Sequence, residues 1–258
     1  MKRILAVLAV VAAAATAAAQ GQGVAIGPWR PTHGAEIKPN VPYTGQFTFV
    51  RLRYGAPIPY QSQRVPWSHD YPDGEQHFMQ IMNEVTYLKP RLFESNVMAL
   101  DDPDLPRFPV AYMSEPGYWI LTDSEASAFR AYLLKGGFAI FDDFAENRGG
   151  WDYFEQMFRR VMPEAKWVEL DGSHPIFHCF FEIPDPLAFL PPYDQELKPA
   201  YLGVYEDNDP SKRLLAIVNY NNDISEYWEY SGQGFAPVSE ENEAYKLGVN
   251  YVIYGLTH

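Results

Sequence analysis

The chain has one cysteine in 258 residues, so Cys179 has no intramolecular partner for a disulfide. Its neighbours His178, Phe180 and Phe181 mark a buried structural thiol; a nucleophile would need a nearby base and an electropositive setting. Positive charge is also scarce: 20 Lys and Arg face 33 Asp and Glu, for a formal charge of −13. No basic stripe remains to track a phosphate backbone, which excludes nucleic acid as a partner and disfavours an anionic membrane surface. Beyond the start of the chain no run is long and apolar enough for a bilayer span, which takes about 20 residues. Catalytic signatures are missing too. There is no GxSxG elbow, Walker loop, GxGxxG fingerprint, CxxC pair, HExxH or EF-hand loop.

What is present is apolar and aromatic: 47% hydrophobic and 16% aromatic residues supply a large core. The first residues combine Lys2 and Arg3, an apolar run from Ile4, and Ala17-Ala18-Ala19 before Gln20. That order predicts a secretory signal peptide over residues 1–19 and a periplasmic or secreted location. Loss of the two positive charges of Lys2 and Arg3 takes the formal charge from −13 to −15. Residues 20–45, with their glycines and prolines, read as an extended arm, and residues 46–258 as one domain.

Within that domain the most informative stretch is Leu121–Arg148. Thr122 and Glu125 form a capping box, and Ala126, Phe129, Leu133 and Leu134 follow at helical spacing. Gly136 suits the left-handed residue after a helix. Phe138–Phe141 is apolar on both faces, as in a buried parallel strand, and Asp142 and Asp143 follow at its end. Further strands are expected at Phe47–Tyr54, Phe108–Met113, Trp167–Leu170, Tyr201–Tyr205 and Leu214–Tyr220. Helices are expected on the faces Phe78/Ile81/Met82/Val85/Leu88, with Asp73 or Gly74 as cap, Trp151/Phe154/Met157/Phe158/Val161, and Glu240–Leu256. This alternation points to a three-layer, flavodoxin-like α/β domain with a mostly parallel sheet.

The order of these pieces resembles the uncharacterised bacterial family called domain of unknown function 4159. FTFVRLRYG (47–55), LDDPDLPRFPVAYMSEPG (100–117), LTDSEASAFRAYLLKGGFAIFDDF (121–144), DGSHPIF (171–177), AIVNYNND (216–223) and AYKLGVNYVIYGLTH (244–258) carry the resemblance. That family is in turn similar to class I glutamine amidotransferase-like folds. In those enzymes a cysteine nucleophile follows the strand after the glycine pair. Here Asp142, Asp143 and Phe144 hold that place, so thioester chemistry is not expected there. The resemblance also implies an envelope setting, with AAA-type ATPase and von Willebrand A-type proteins as partners.

In open α/β sheets, ligands bind outside the carboxyl ends of the strands. The polar residues expected there are Arg53, Glu115, Asp142, Asp143, His174, Asn219, Asn221 and Asp223. The favoured reading is a non-catalytic binding or interaction domain with a polar cleft. Arg53, Trp119, Asp142, Asp143, Asn221 and Asp223 are its expected ligand contacts, and the ligand is a polar molecule or an envelope protein. Trp67, Tyr71, Tyr118 and Trp228 are further candidate stacking faces, and the loop from Trp67 to Gly74 is aromatic and polar enough for ligand contact. Arg51 and Arg53 suit either an anion or a carboxylate partner, with ion pairing preferred in so acidic a chain. The alternative is a hydrolase-like enzyme with Asp143, His174 and Glu115 as candidates. Asp143 is expected to enter the crevice and Asp142 to support the turn. A divalent site from Asp143, Glu115, Asp223 and His174 would favour Ca²⁺ or Mg²⁺, but no compact ligand spacing supports it, so no metal or cofactor is assigned. His174, before a proline, equally suits a turn in which the imidazole bonds the backbone.

Overall fold

The computed structural model describes residues 36–55, 65–144 and 150–258; the expected leader and most of the arm lie outside them. Seven strands form one sheet: β1 (Val50–Arg53), β2 (Asn96–Ala99), β3 (Val110–Ser114), β4 (Phe138–Asp142), β5 (Val168–Glu169), β6 (Ala200–Tyr205) and β7 (Leu214–Tyr220). Their order is β2-β1-β3-β4-β7-β6-β5. The first five in that order run parallel, while β6 is antiparallel to β7 and β5 to β6. Among the described residues five α-helices pack on it: α1 (Asp73–Val85), α2 (Asp123–Leu134), α3 (Gly150–Val161), α4 (Ile224–Glu229) and α5 (Val238–Thr257).

The strand pleat sends alternate side chains to opposite faces and so sorts the apolar residues into two cores. From β4, Ala139 and Phe141 join Leu52, Met113, Phe129, Leu133, Phe154 and Phe158 beneath α2 and α3. Phe138 and Ile140 join Phe78, Tyr112, Ile217, Trp228, Leu247 and Tyr251 beneath α1, α4 and α5. Each such side chain removed from water contributes roughly 1.5–3 kcal/mol before entropy is subtracted. The result is the expected three-layer, flavodoxin-like arrangement with a mostly parallel sheet.

The capping box of α2 forms as read from the sequence. Glu125 N donates to Thr122 Oγ1 at 3.2 Å, and Thr122 N donates to Glu125 Oε2 at 2.9 Å. Gly136 follows with φ +117°, a conformation that a Cβ would strain. In contrast, α1 begins after Pro72 without a side-chain cap, so neither Asp73 nor Gly74 is the cap. Instead the carbonyl of Asp70 accepts from Gly74 N at 2.8 Å, tying the preceding loop to the helix.

Two elements have no counterpart in the sequence reading. β2 is four residues long and α4 six, too short for hydrophobic periodicity to register. α4 nevertheless buries Ile224, Tyr227 and Trp228, whose indole stacks on Phe78 with ring centres 4.3 Å apart. Gly248 of α5 lets the helix approach that stack, since a Cβ there would fall 2.5 Å from Trp228 Cζ2.

The last part of the arm lies along the outer edge of β2. Asn40 Oδ1 accepts from Val97 N at 2.9 Å and Asn40 Nδ2 donates to Val97 O at 3.1 Å. Asn96 returns the pattern with its side chain: Oδ1 accepts from Val41 N and Nδ2 donates to Val41 O. Two carboxamides thus do the pairing that a further strand would do.

Candidate functional site

The carboxyl ends of the parallel strands carry a buried ionic region assembled from three chain segments. The first is the loop over residues 65–72 after β1, held from below by Arg51 in the middle of that strand. Arg51 grips the Glu75 carboxylate with two bonds, Nε to Oε1 at 3.0 Å and Nη2 to Oε2 at 2.7 Å. Its third nitrogen, Nη1, donates to the carbonyls of Trp67 at 3.2 Å and His69 at 2.8 Å. The guanidinium also lies 5.2 Å from the centre of the Tyr112 ring. Burial opposes the arginine charge, but the adjacent Glu75 carboxylate outweighs it and holds the group protonated. Of the two anticipated uses of Arg51, the ion pair is the one realised.

That loop presents His69 and Asp70 to Asp143, the first residue after β4. Both aspartates adopt the left-handed conformation, with φ 63° each. His69 Nδ1 lies 3.3 Å from Asp70 Oδ1 and 3.1 Å from Asp143 Oδ2. These are ion-pair distances, and the three buried atoms have no polar partner outside the group. The third segment is the start of α4. One ligand atom each from His69, Asp70, Asp223 and Glu226 falls within 4.8 Å of the others, a grouping that can hold a metal ion. His69 Nε2, on the far side of the ring, lies 3.9 Å from Glu226 Oε2.

Beneath this cluster a hydrogen-bond network fixes the pieces. Asp142 accepts from Asn219 Nδ2 at 2.8 Å, from the Tyr112 hydroxyl at 2.9 Å, and from the backbone of Ile224 and Ser225 at 3.1 Å each. It therefore binds β3, β4, β7 and the start of α4 together. Ser225 Oγ accepts from the Tyr112 hydroxyl at 2.6 Å, sharing that proton with Asp142, and donates to Asp70 Oδ2. Asp223 accepts from Glu226 N at 3.0 Å as the cap of α4.

Negative charge is in surplus here. Burial raises Asp142 to about 6, with the Asp143 charge adding to the rise and the Asn219 and Tyr112 bonds opposing it. Burial and the neighbouring aspartates push Asp223 well above the carboxylate range. Burial, then the charge of Asp70, raise Glu226 to about 7 and Glu229 to about 8. Burial would raise Asp70 as well, but His69 reverses the effect and holds it low. His69 is lowered by burial and raised by more by Asp70 and Asp143, so its net shift is strongly upward. The protonated His69 is the cation that offsets part of this surplus.

Several residues named from the sequence lie here and others do not. Asp143 faces His69, Asp142 supports the turn, and Asp223 caps α4 beside the cluster. Asn221 donates to Lys198 O at 3.0 Å, and Asn219 donates to Asp142. Glu115 stands at the end of β3 with φ 45°, its carbonyl accepting from the Tyr54 hydroxyl at 2.6 Å. Arg53 is exposed at the end of β1. Trp119 is a core residue rather than a ligand face: it is 0% exposed and packs between Phe129, Phe141 and Phe154. Trp67, Tyr71 and Trp228 are buried as well, while Tyr118 is exposed.

His174 lies at the other edge of the sheet. Its ring is 6.1 Å from that of Tyr205, which pairs with Leu214 at the amino end of β7. There it caps a short turn, its Nδ1 accepting from Ile176 N at 3.2 Å. The geometry therefore keeps it from Asp143 and from any shared metal. Cys179 is half-buried, its thiol raised to about 11 by burial and donating to Asn250 O at 3.2 Å. His69, Asp70 and Glu226 were not singled out in the sequence. The polar and aromatic loop from Trp67 was the one available signal for the first two.

No curated protein matches the chain. A family model described as Domain of unknown function (DUF4159) matches residues 48–256, which include every residue of the cluster, and the chain belongs to that family.

Proposed function

We propose that this protein is a divalent-cation-binding domain whose ligand seat is the polar cleft formed by His69, Asp70, Asp143, Asp223 and Glu226. One observation carries the reading: two buried carboxylate oxygens, Asp70 Oδ1 and Asp143 Oδ2, converge on His69 Nδ1 at 3.3 and 3.1 Å, and none of the three atoms has any other polar partner. A cation taking the place of the imidazole proton would bond all three atoms together. The function is binding, in line with the missing cysteine nucleophile. The signal-like residues 1–19 support a role outside the cytoplasm, with an envelope protein as partner.

The test is thermal melting of the chelator-treated protein, with and without added divalent ions, beside the double variant D70N/D143N. A rise in melting temperature with the ion, lost in the variant, is expected. Identical curves with every ion would refute the reading.

A second reading is metal-assisted hydrolysis. Glu226 favours it, because this partly exposed carboxyl at the rim is raised to about 7 and suits a proton acceptor beside a bound water. Turnover of an ester, amide or glycoside panel by the metal-loaded protein, absent in D143N, is what it requires.

A further inference from the structure

The proposed cation site says more than that a divalent ion binds. On the strength of that reading, we infer that the ion is a first-row transition metal, held through His69 Nδ1, Asp70 Oδ1 and Asp143 Oδ2. Three features support this.

The first is the donor set. An imidazole nitrogen with carboxylate oxygens suits zinc and its first-row neighbours. Calcium takes 6–8 oxygens, and magnesium prefers oxygen and retained water. Among the described residues the grouping offers one imidazole beside the carboxylates of Asp70, Asp223 and Glu226, and Asp143 meets the same imidazole.

The second is spacing. Metal–ligand bonds of about 2.0–2.2 Å place neighbouring ligands about 3.0 Å apart in an octahedron and about 3.4 Å apart in a tetrahedron. The separations of 3.1 and 3.3 Å from His69 Nδ1 fall in that interval. The two edges that meet at His69 Nδ1 are thus already at the length of a coordination polyhedron's, and Arg51 and Ser225 hold the loop and Asp70 that carry them.

The third is the choice of ring nitrogen. One imidazole cannot direct both nitrogens at one ion. Nδ1 is buried and makes no hydrogen bond, while Nε2 faces Glu226 Oε2 at 3.9 Å. That is the division of labour of a metal-bound histidine, in which the second nitrogen is steered by a carboxylate outside the coordination sphere. Three protein ligands fall one short of a tetrahedral set, and a water or a donor group of a partner would complete it.

The experiment is a titration of the chelator-treated full chain, under reducing conditions, with Zn²⁺, Mn²⁺, Co²⁺, Mg²⁺ and Ca²⁺. It is read by calorimetry, and for Co²⁺ also by its visible absorption. Expected are at least tenfold tighter binding of Zn²⁺ or Co²⁺ than of Mg²⁺ or Ca²⁺, and a cobalt spectrum that changes in D143N. Asp143→Asn keeps a residue that tolerates the left-handed backbone, so it is expected to fold, with circular dichroism as the check. It should weaken Zn²⁺ by on the order of 100-fold and Glu226→Gln by about tenfold, the sizes expected for a ligand and for its outer partner. Equal or tighter binding of Mg²⁺ or Ca²⁺ would overturn the metal class while leaving the cation reading in place. A Glu226→Gln loss as large as that of Asp143→Asn would overturn the assignment to Nδ1. Binding of no ion at all would remove both.

Discussion

Two buried ionic groups lie on either side of one short loop, and they are opposites. In the Arg51–Glu75 pair the guanidinium bonds two carboxylate oxygens and two backbone carbonyls, and both side chains are 1% exposed. In the His69–Asp70–Asp143 group one imidazole nitrogen is the sole partner of two carboxylate oxygens, at 3.3 and 3.1 Å. The first is closed and spends its donors on holding Trp67 and His69 in place. The second is what that holding presents. A fold stabilises a charge by surrounding it with partners, and keeps a charge available by withholding one of them.

Breaking the closed pair should have the largest effect. Glu75→Ala leaves a buried guanidinium without its anion and is expected to cost about 3–5 kcal/mol in urea denaturation. It should weaken cation binding as well, because the loop carrying His69 loses its anchor.

Next is the response to pH. Asp142, Glu226 and Glu229 are raised to about 6, 7 and 8 in the folded chain, against about 4 when unfolded. A raised carboxyl binds its proton more tightly when folded, so its contribution is fully present below about pH 4 and is lost as pH rises through the folded value. The metal-free protein should therefore melt at a lower temperature at pH 8 than at pH 5.5. A bound divalent ion should shrink that difference, since it favours the ionised groups. Equal melting temperatures at the two pH values without metal would count against a surplus of charge.

Thr122→Ala removes the cap of α2, on the far face of the sheet, and should cost about 1 kcal/mol while leaving metal affinity unchanged. The smallest change is expected from Asp143→Asn without metal. It removes one of the two carboxylates paired with the part-exposed His69 and leaves Asp70 in place, so stability should stay within about 1 kcal/mol of the parent. A large loss there would mean that the cluster is structural, as the Arg51 pair is.

The sequence exposed the sheet more fully than the site, for a physical reason. β4, β7 and α2 are written in local patterns: an apolar run, a period of two, a capping box and its glycine. The sites of Asp142 and Asp143 follow from the end of such a run. His69 and Asp70 carry no periodic signal, since they sit in a loop whose shape is set by Arg51 and Glu75, 24 residues apart in the chain. Glu226 belongs to a six-residue helix placed by bonds from Asp142, 83 residues away from Ser225. Trp119 and His174 were misplaced on similar grounds. Residues beside a strand end can turn into the core, as Trp119 does, and a histidine in the crossover before an antiparallel strand reaches the opposite edge.

The carboxamides of Asn40 and Asn96 bear on where this domain ends as an independent object. Residues matched by the family model begin at 48, after the stretch that covers the outer groups of Val97. A fragment cut to that limit would keep the cation cluster and all of the core but Phe47 and Ile37, and would expose the backbone of β2 as a template for another chain. Solubility would then depend on residues 36–47, a stretch that adds little else to the interior.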